Sequence, residues 1–280
     1  MTSPCRLGVP QDFYCAPLVA HLVEPKLFTR HRDVPARLAL QLRERKLDAA
    51  FLSPIDYGRE SSAYEIVPDV GISSAQGTGT VSLIFRDEHL HTVTTVAVDP
   101  SSSAEIVLAK IVLAEEYELE PKFVPISGTV EQVLLHADAV VLAGDASLRE
   151  VDRHPNRIDL VEAWTEMTTL PYVHGVWCTH HGALTPELIQ QIQQAAGKGV
   201  ASLDTLAAEI PQGTFPAHSR ALLGDYLHAF SYTLTEQDLD GFQEFLRFAY
   251  YHGVLPDVGD VHFTSHAEPE DLDDDATPAR

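Results

Sequence analysis

Small hydroxyl-bearing and acidic residues recur directly after apolar runs in this 280-residue chain. Ser101, Ser102 and Ser103 stand between a β-like run and a helical one. That junction offers hydroxyls and free backbone N–H groups at the positive end of a helix dipole, a seat suited to a carboxylate. One serine acting as an ordinary N-cap accounts for the same residues. Gly77, Thr78, Gly79, Thr80 and Ser82 make a second such segment. Its glycines either permit close backbone approach or simply turn the chain into a strand. A third, Ser53-Pro54-Ile55-Asp56-Tyr57, again follows an apolar run, and ligands gather beyond the carboxyl ends of strands in α/β sheets. Asp145 follows the run 139–142 and precedes a helical stretch, where capping is the simpler role. His174 lies within the apolar run 172–177; such a histidine is more often structural, and becomes an acid or base where it faces a cleft. The pair His180-His181 lacks companion acids at metal spacing. Walker, GxGxxG, HExxH and GxSxG patterns are all missing from the sequence.

Alternating short β-like and helical runs must position these groups, which predicts α/β architecture. Strands are predicted at 5–9, 49–52, 81–85, 92–98, 122–125, 139–142 and 172–178. Apolar residues at helical spacing predict helices over 35–46 and 106–116, the first with Asp33 near its N-cap. A further helix is capped near Thr185, with Pro186 in its first turn. Residues 188–210 read as two helices interrupted by Gly197 and Gly199, followed by helices over 217–229 and 239–251, the latter capped by Thr235 or Asp238. The late helices have no strands of their own and are expected to pack back onto the first strand group. Two α/β lobes result, residues 1–91 with 180–280 and residues 92–179, with a ligand cleft at their interface.

Composition narrows the function classes. Hydrophobic residues at 45% exclude general disorder. Forty-one acids against 19 bases leave a net charge of −22, which argues against nucleic-acid or anionic-membrane partners because phosphates need clustered cations. Only five of the bases are lysine, as in a salt-adapted protein or an ordinarily acidic one. No apolar run approaches the roughly 18 residues of a membrane helix. Residues 1–7 carry no basic stretch leading into a hydrophobic segment, so a cytoplasmic location is expected. Cys5, Cys15 and Cys178 are odd in number and lack metal spacing, so neither a disulfide framework nor a zinc cluster is expected. Acids crowd into residues 268–275, and about 257–280 is expected to be a mobile tail. Oligomeric state is left open.

The order of segments resembles a family. Leu7-Gly8-Val9 with Ala16-Pro17-Leu18, Val34-Pro35-Ala36-Arg37-Leu38-Ala39, Leu47-Asp48-Ala49-Ala50, Ser53-Pro54-Ile55-Asp56-Tyr57, Gly144-Asp145-Ala146-Ser147-Leu148 and Leu170-Pro171-Tyr172-Val173-His174-Gly175-Val176-Trp177 carry the likeness. They resemble the menaquinone-biosynthesis enzymes of the futalosine pathway, from about Leu7 to Leu255. The Gly-Asp pair and the Leu-Pro-Tyr-Val-His-Gly-Val-Trp stretch look like the chorismate dehydratase branch; a lyase sister branch carries His-Glu at the first position. The resemblance implies a two-lobed fold similar to type II periplasmic binding proteins. It implies a hydro-lyase that needs no metal or other cofactor and takes a small carboxylate, converting chorismate to 3-[(1-carboxyvinyl)oxy]benzoate. By motif position it puts Tyr14 and Asp145 at the reacting ring. Ser102, Ser103, Thr80 and Ser82 fall on substrate carboxylates, with Thr78 and His174 beside the substrate and Ser53 and Ile55 along the opposite wall. A non-catalytic binding protein for a small carboxylate, or a relative acting on another shikimate-derived acid, are the alternatives on the same scaffold. Three positions depart from the family pattern: Tyr14 stands for an asparagine, Ala104-Glu105 for Thr-Ser, and Gly79-Thr80 for Arg-Ser.

Overall fold

The computed structural model describes residues 3–87, 89–151 and 153–264. Two five-stranded sheets carry the chain. In the first, β1 (Cys5–Pro10) lies between β2 (Phe28–Asp33) and β3 (Ala49–Leu52), parallel to both. The sheet continues through β10 (Tyr172–His180) to β4 (Tyr64–Ser74), both pairings antiparallel. In the second, β6 (Thr95–Val98) lies between β7 (Lys122–Pro125) and β8 (Ala139–Ala143), again parallel, and β5 (Val81–Phe85) and β9 (Arg157–Asp159) complete it antiparallel. Every residue of β3 and of β10 is buried. Covered on both faces, β3 reads as an unbroken apolar run and β10 as a largely apolar one, which is why they were visible in the sequence.

Sheet membership corrects the predicted lobe boundaries. Val81–Phe85, assigned to the first lobe, pairs in the second sheet, and Tyr172–His180, assigned to the second, is next to the centre of the first. The chain therefore crosses between sheets at 75–80 and again at 169–171, rather than at 91–92 and 179–180. The cause is β4, which the sequence hides. Pro68, Asp69 and Gly71 look like strand breakers, but the pairing with β10 is irregular there, and Asp69 adopts φ 63° within the interruption. The two lobes share one core: Trp164, from the second, meets Tyr172 and Phe245 of the first edge-to-face, with ring centroids 6.3 and 5.6 Å apart.

Two further expectations change. The segment from 257 is not free as far as residue 264. Ile66 N–H donates to the His262 carbonyl at 2.7 Å, Thr264 N–H to the Ile66 carbonyl at 3.0 Å, and the Tyr57 hydroxyl to the Asp260 carbonyl at 3.0 Å. The acidic run at 268–275 lies outside the described residues. The helix Pro186–Val200 runs through both glycines that were expected to break it, with the predicted Thr185 cap and Pro186 in its first turn. Gly199 is there for contact: a Cβ at this position would sit 1.8 Å from the Pro17 carbonyl oxygen, whereas one at Gly197 would meet nothing within 4 Å. Thr235 and Asp238 form a capping box on Glu236–Tyr251.

The glycine pair separates propensity from packing. Gly197→Ala should stabilise the fold by about 0.5–1 kcal/mol through helix propensity. Gly199→Ala should cost roughly 1–3 kcal/mol or more, because backbone must move. Urea midpoints of the two variants, falling on opposite sides of wild type, are the check; equal shifts would contradict the contact.

Candidate active site between the lobes

Loops after β1, β2, β3, β6 and β8 meet between the sheets, at the carboxyl ends of five parallel strands. That is the end where α/β sheets bind ligands. They enclose a cleft of about 360 Å³ bordered by Asp12, Tyr14, Pro35, Ser102, Glu105, Asp145 and Arg149. An adjoining recess of only about 10 Å³ shares Tyr14, Pro35 and Glu105 and adds Ser53, Ser103 and His174.

The lobes are clasped across one side of this cleft. Phe13 N–H donates to Asp145 Oδ1 at 2.8 Å, and Asp145 N–H donates to Asp12 Oδ1 at 2.9 Å. Each carboxylate thus accepts an amide hydrogen from the other lobe. Asp145 does not cap its own helix, Gly144–Arg149, whose N-cap is Ala143. The approach depends on Gly144, which has φ 56° and whose missing Cβ would lie 2.0 Å from Asp12 Oδ1. Arg149 Nη2 lies 3.9 Å from Asp145 Oδ2 while its guanidinium stacks over Phe215 at 4.9 Å. Burial pushes the Asp145 carboxyl up to about 6, against the pull of the Phe13 N–H and with a further push from Asp12. Burial likewise raises Asp12.

A second bridge runs through Asp56. Its carboxylate accepts from Ser53 Oγ at 2.8 Å and, across the lobes, from Ser103 Oγ at 3.5 Å, with Arg59 Nη1 at 3.3 Å. Ser53 also caps the helix Pro54–Gly58. Ser101 Oγ bonds Asp99 at 2.8 Å. Ser102, the N-cap residue of Ser103–Glu115, makes no side-chain capping bond. Its hydroxyl therefore stays uncommitted beside the free N–H groups of a 13-residue helix.

Aromatic rings form the inner wall. Tyr14 stacks on Phe230 at 5.4 Å and lies 5.7 Å from the His174 ring. His174 Nε2 bonds Ser74 Oγ at 2.8 Å, and Tyr172 meets the imidazole edge-on at 5.0 Å. Burial pushes His174 down to about 3 and Tyr14 far above the ordinary phenol value, so both are neutral at physiological pH. His174 faces the recess as an uncharged group and is a weak base there.

Six predicted residues therefore meet at the cleft: Tyr14, Ser53, Ser102, Ser103, Asp145 and His174. Four do not. Ile55 is fully buried in the core beneath its helix. Thr78 and Thr80 bond one another at 2.7 Å, and Thr80 reaches the Tyr226 hydroxyl at 3.4 Å. Ser82 is held inside the second lobe by Ser147 at 2.7 Å and by Arg157 Nε at 2.9 Å. Asp12, Glu105 and Arg149 are cleft residues that motif position did not assign. Arg149 had one legible signal, its i+4 spacing from Asp145. Among the described residues no three His, Cys, Asp or Glu side chains cluster as metal ligands, and no helix is long and apolar enough to cross a membrane.

The clasp makes stability pH-dependent. The folded-state value of Asp145 lies above that of the unfolded chain, so the unfolded chain binds fewer protons between about pH 4 and 6 and this group's contribution falls as pH rises through that window. Asp145→Asn keeps the Oδ1 acceptor without titrating. Its melting temperature relative to wild type should climb by roughly 2–6 °C from pH 4 to pH 7. A difference independent of pH would show that Asp145 titrates normally.

A family model described as menaquinone biosynthesis matches residues 5–251. The chain is 27% identical to a chorismate dehydratase of Thermus thermophilus over 86% of its own length and 94% of that protein. Among solved structures, an Archaeoglobus fulgidus protein superposes with a TM-score of 0.70 at 14% identity, covering 91% of this chain and 99% of the other. The periplasmic aliphatic sulphonate-binding protein of Escherichia coli superposes with a TM-score of 0.65 at 13% identity, covering 93% and 96%. At those identities the superpositions speak for the fold alone, a two-lobed periplasmic-binding-protein architecture. The family match takes in all ten strands and every loop that builds the cleft, and the chain belongs to the menaquinone biosynthesis family.

Proposed function

We propose that this protein is a chorismate dehydratase, a hydro-lyase that forms 3-[(1-carboxyvinyl)oxy]benzoate and water. The observation that carries the reading is the cleft itself, built around Gly144-Asp145 in a chain that aligns along most of its length with the Thermus thermophilus enzyme. The reaction breaks a ring C–H and the neighbouring C–O bond, and aromatisation drives it forward. No electrons are exchanged with a second molecule, so the chemistry asks for no redox partner. The protein must hold a dianion, orient its ring and move a proton.

Ser102 and the adjoining helix N-terminus suit one carboxylate, and Arg149, the one cation among the residues bordering the cleft, suits the other. Tyr14 presents a neutral phenol to the ring hydroxyl, supported on Phe230. It supplies one O–H where the family has an amide. A biosynthetic enzyme acting on this intermediate belongs in the cytoplasm. One observation favours a second reading, a binding protein for a less charged ligand: Asp12, Glu105 and Asp145 outnumber Arg149 along the cleft.

Incubation of the purified protein with chorismate decides between them. Conversion to the enolpyruvyl ether of benzoate is expected, and absence of conversion sinks the dehydratase reading. Tyr14→Phe should slow turnover about ten- to a thousandfold with the fold intact by circular dichroism. Ser102→Ala should raise KM about tenfold, the scale of one hydrogen bond to a charged group. Thr80→Ala, whose hydroxyl is spent on Thr78 and on Tyr226 of the first lobe, should leave KM unchanged.

A further inference from the structure

Glu105 is the carboxyl that no other part of the site accounts for. It stands at the third position of the helix Ser103–Glu115 and borders both the cleft and the adjoining recess. Among the described residues its side chain forms no ion pair and no hydrogen bond with another residue. The other cleft acids are committed, Asp12 and Asp145 to the clasp and Asp99 to Ser101, and nearby Asp56 is held by Ser53, Ser103 and Arg59. Arg149 is turned to Asp145 and Phe215.

Resting on the dehydratase reading, we propose that Glu105 is the acid–base residue of the reaction, carrying a proton from the ring carbon to the departing hydroxyl. The substrate's stereochemistry makes one carboxyl sufficient. In chorismate the ether and the hydroxyl are trans on adjacent ring carbons, so the hydrogen to be removed and the hydroxyl that leaves share one face of the ring. The Glu105 carboxyl gives its proton to the hydroxyl as the C–O bond breaks and water departs. The electron pair of the neighbouring C–H bond becomes the third ring double bond, and that proton returns to the Glu105 carboxylate. Substrate yields the aromatic ether plus water, and the carboxyl is restored.

The surroundings favour a protonated start. Around Glu105 stand Asp12 and Tyr14 from the loop after β1, Asp56 with its partner Arg59 after β3, Asp99 after β6, Asp145 and Arg149 after β8, and Tyr172 and His174 on β10. Burial, then Asp12 and Asp56, push Glu105 up to about 7 against its own backbone N–H. A dianionic substrate pushes the same way. kcat/KM, which follows the free enzyme, must therefore decline as pH rises past about 7, and kcat only at higher pH.

The test is kcat and KM for chorismate from pH 5.5 to 9. Glu105→Gln keeps the size and loses the proton; kcat should fall at least about a hundredfold with KM unchanged or lower, and the alkaline decline should vanish. Glu105→Asp should recover part of the lost turnover and restore the decline. Wild-type kcat in Glu105→Gln, or an alkaline decline that persists in it, overturns the role while leaving the dehydratase reading in place. Calorimetric titration with the product at pH 8, in buffers of different ionisation enthalpy, reads the same proton without turnover. Wild type should take up close to one proton on binding and Glu105→Gln none; equal uptake overturns the role. A wild type that consumes no chorismate at any pH overturns both.

Discussion

Two carboxylates hold the lobes against each other, each accepting an amide hydrogen from the opposite side. Hydrogen bonds to ionised groups are stronger than neutral ones, and here the pair is reciprocal, so neither half can shift without breaking its counterpart. The clasp fixes the loop after β1 against the helix after β8, and the space left between them is the cleft. It also dictates local sequence. Gly144 must lack a side chain to let Asp12 approach, and it occupies a left-handed conformation that a Cβ would strain. The Gly144-Asp145 pair that carried the sequence resemblance is, in structure, one half of an interlobe contact.

How much of this the sequence disclosed depended on what a residue's neighbours demand of it. Strands buried on both faces, such as Ala49–Leu52 and Val81–Phe85, were legible to the residue because burial favours a mainly apolar run, broken in the second only by Ser82. β2 was not, since an edge strand exposing Thr29, Arg30, His31 and Arg32 needs only backbone pairing with β1. β4 was hidden by a proline placed inside an irregularity, and with it went the true crossing points between lobes. A strand's sequence reports its burial, not which sheet it joins.

The same limit shaped the site. Motif position located loops at the carboxyl ends of strands, and Tyr14, Ser53, Ser102, Ser103 and Asp145 lie there. It gave no side-chain direction. Ile55, two residues along from Ser53, points into the core, and Ser82, inside β5, is turned into the second lobe. Glu105 was legible as a departure from the family pair, but its meaning required knowing that the third helical residue faces the cleft.

Closure and charge are linked by burial. Asp12, Asp56, Glu105 and Asp145 are all withdrawn from water between or beneath the lobes, and burial makes each hold its proton more tightly. A carboxyl that keeps its proton no longer repels an anion; it becomes a hydrogen-bond donor to one. In a chain of net charge −22, whose cleft is bordered by one arginine, an anionic ligand would be met by hydroxyls, amide N–H groups and a Glu105 carboxyl raised to about 7 more than by fixed positive charge. Such donors are directional where a lysine is not, so a cleft of this kind would discriminate by the positions of a ligand's oxygens more than by its total charge. Acidity here is compatible with anion chemistry because the acids nearest the cleft are buried and bonded, and burial weakens their tendency to ionise.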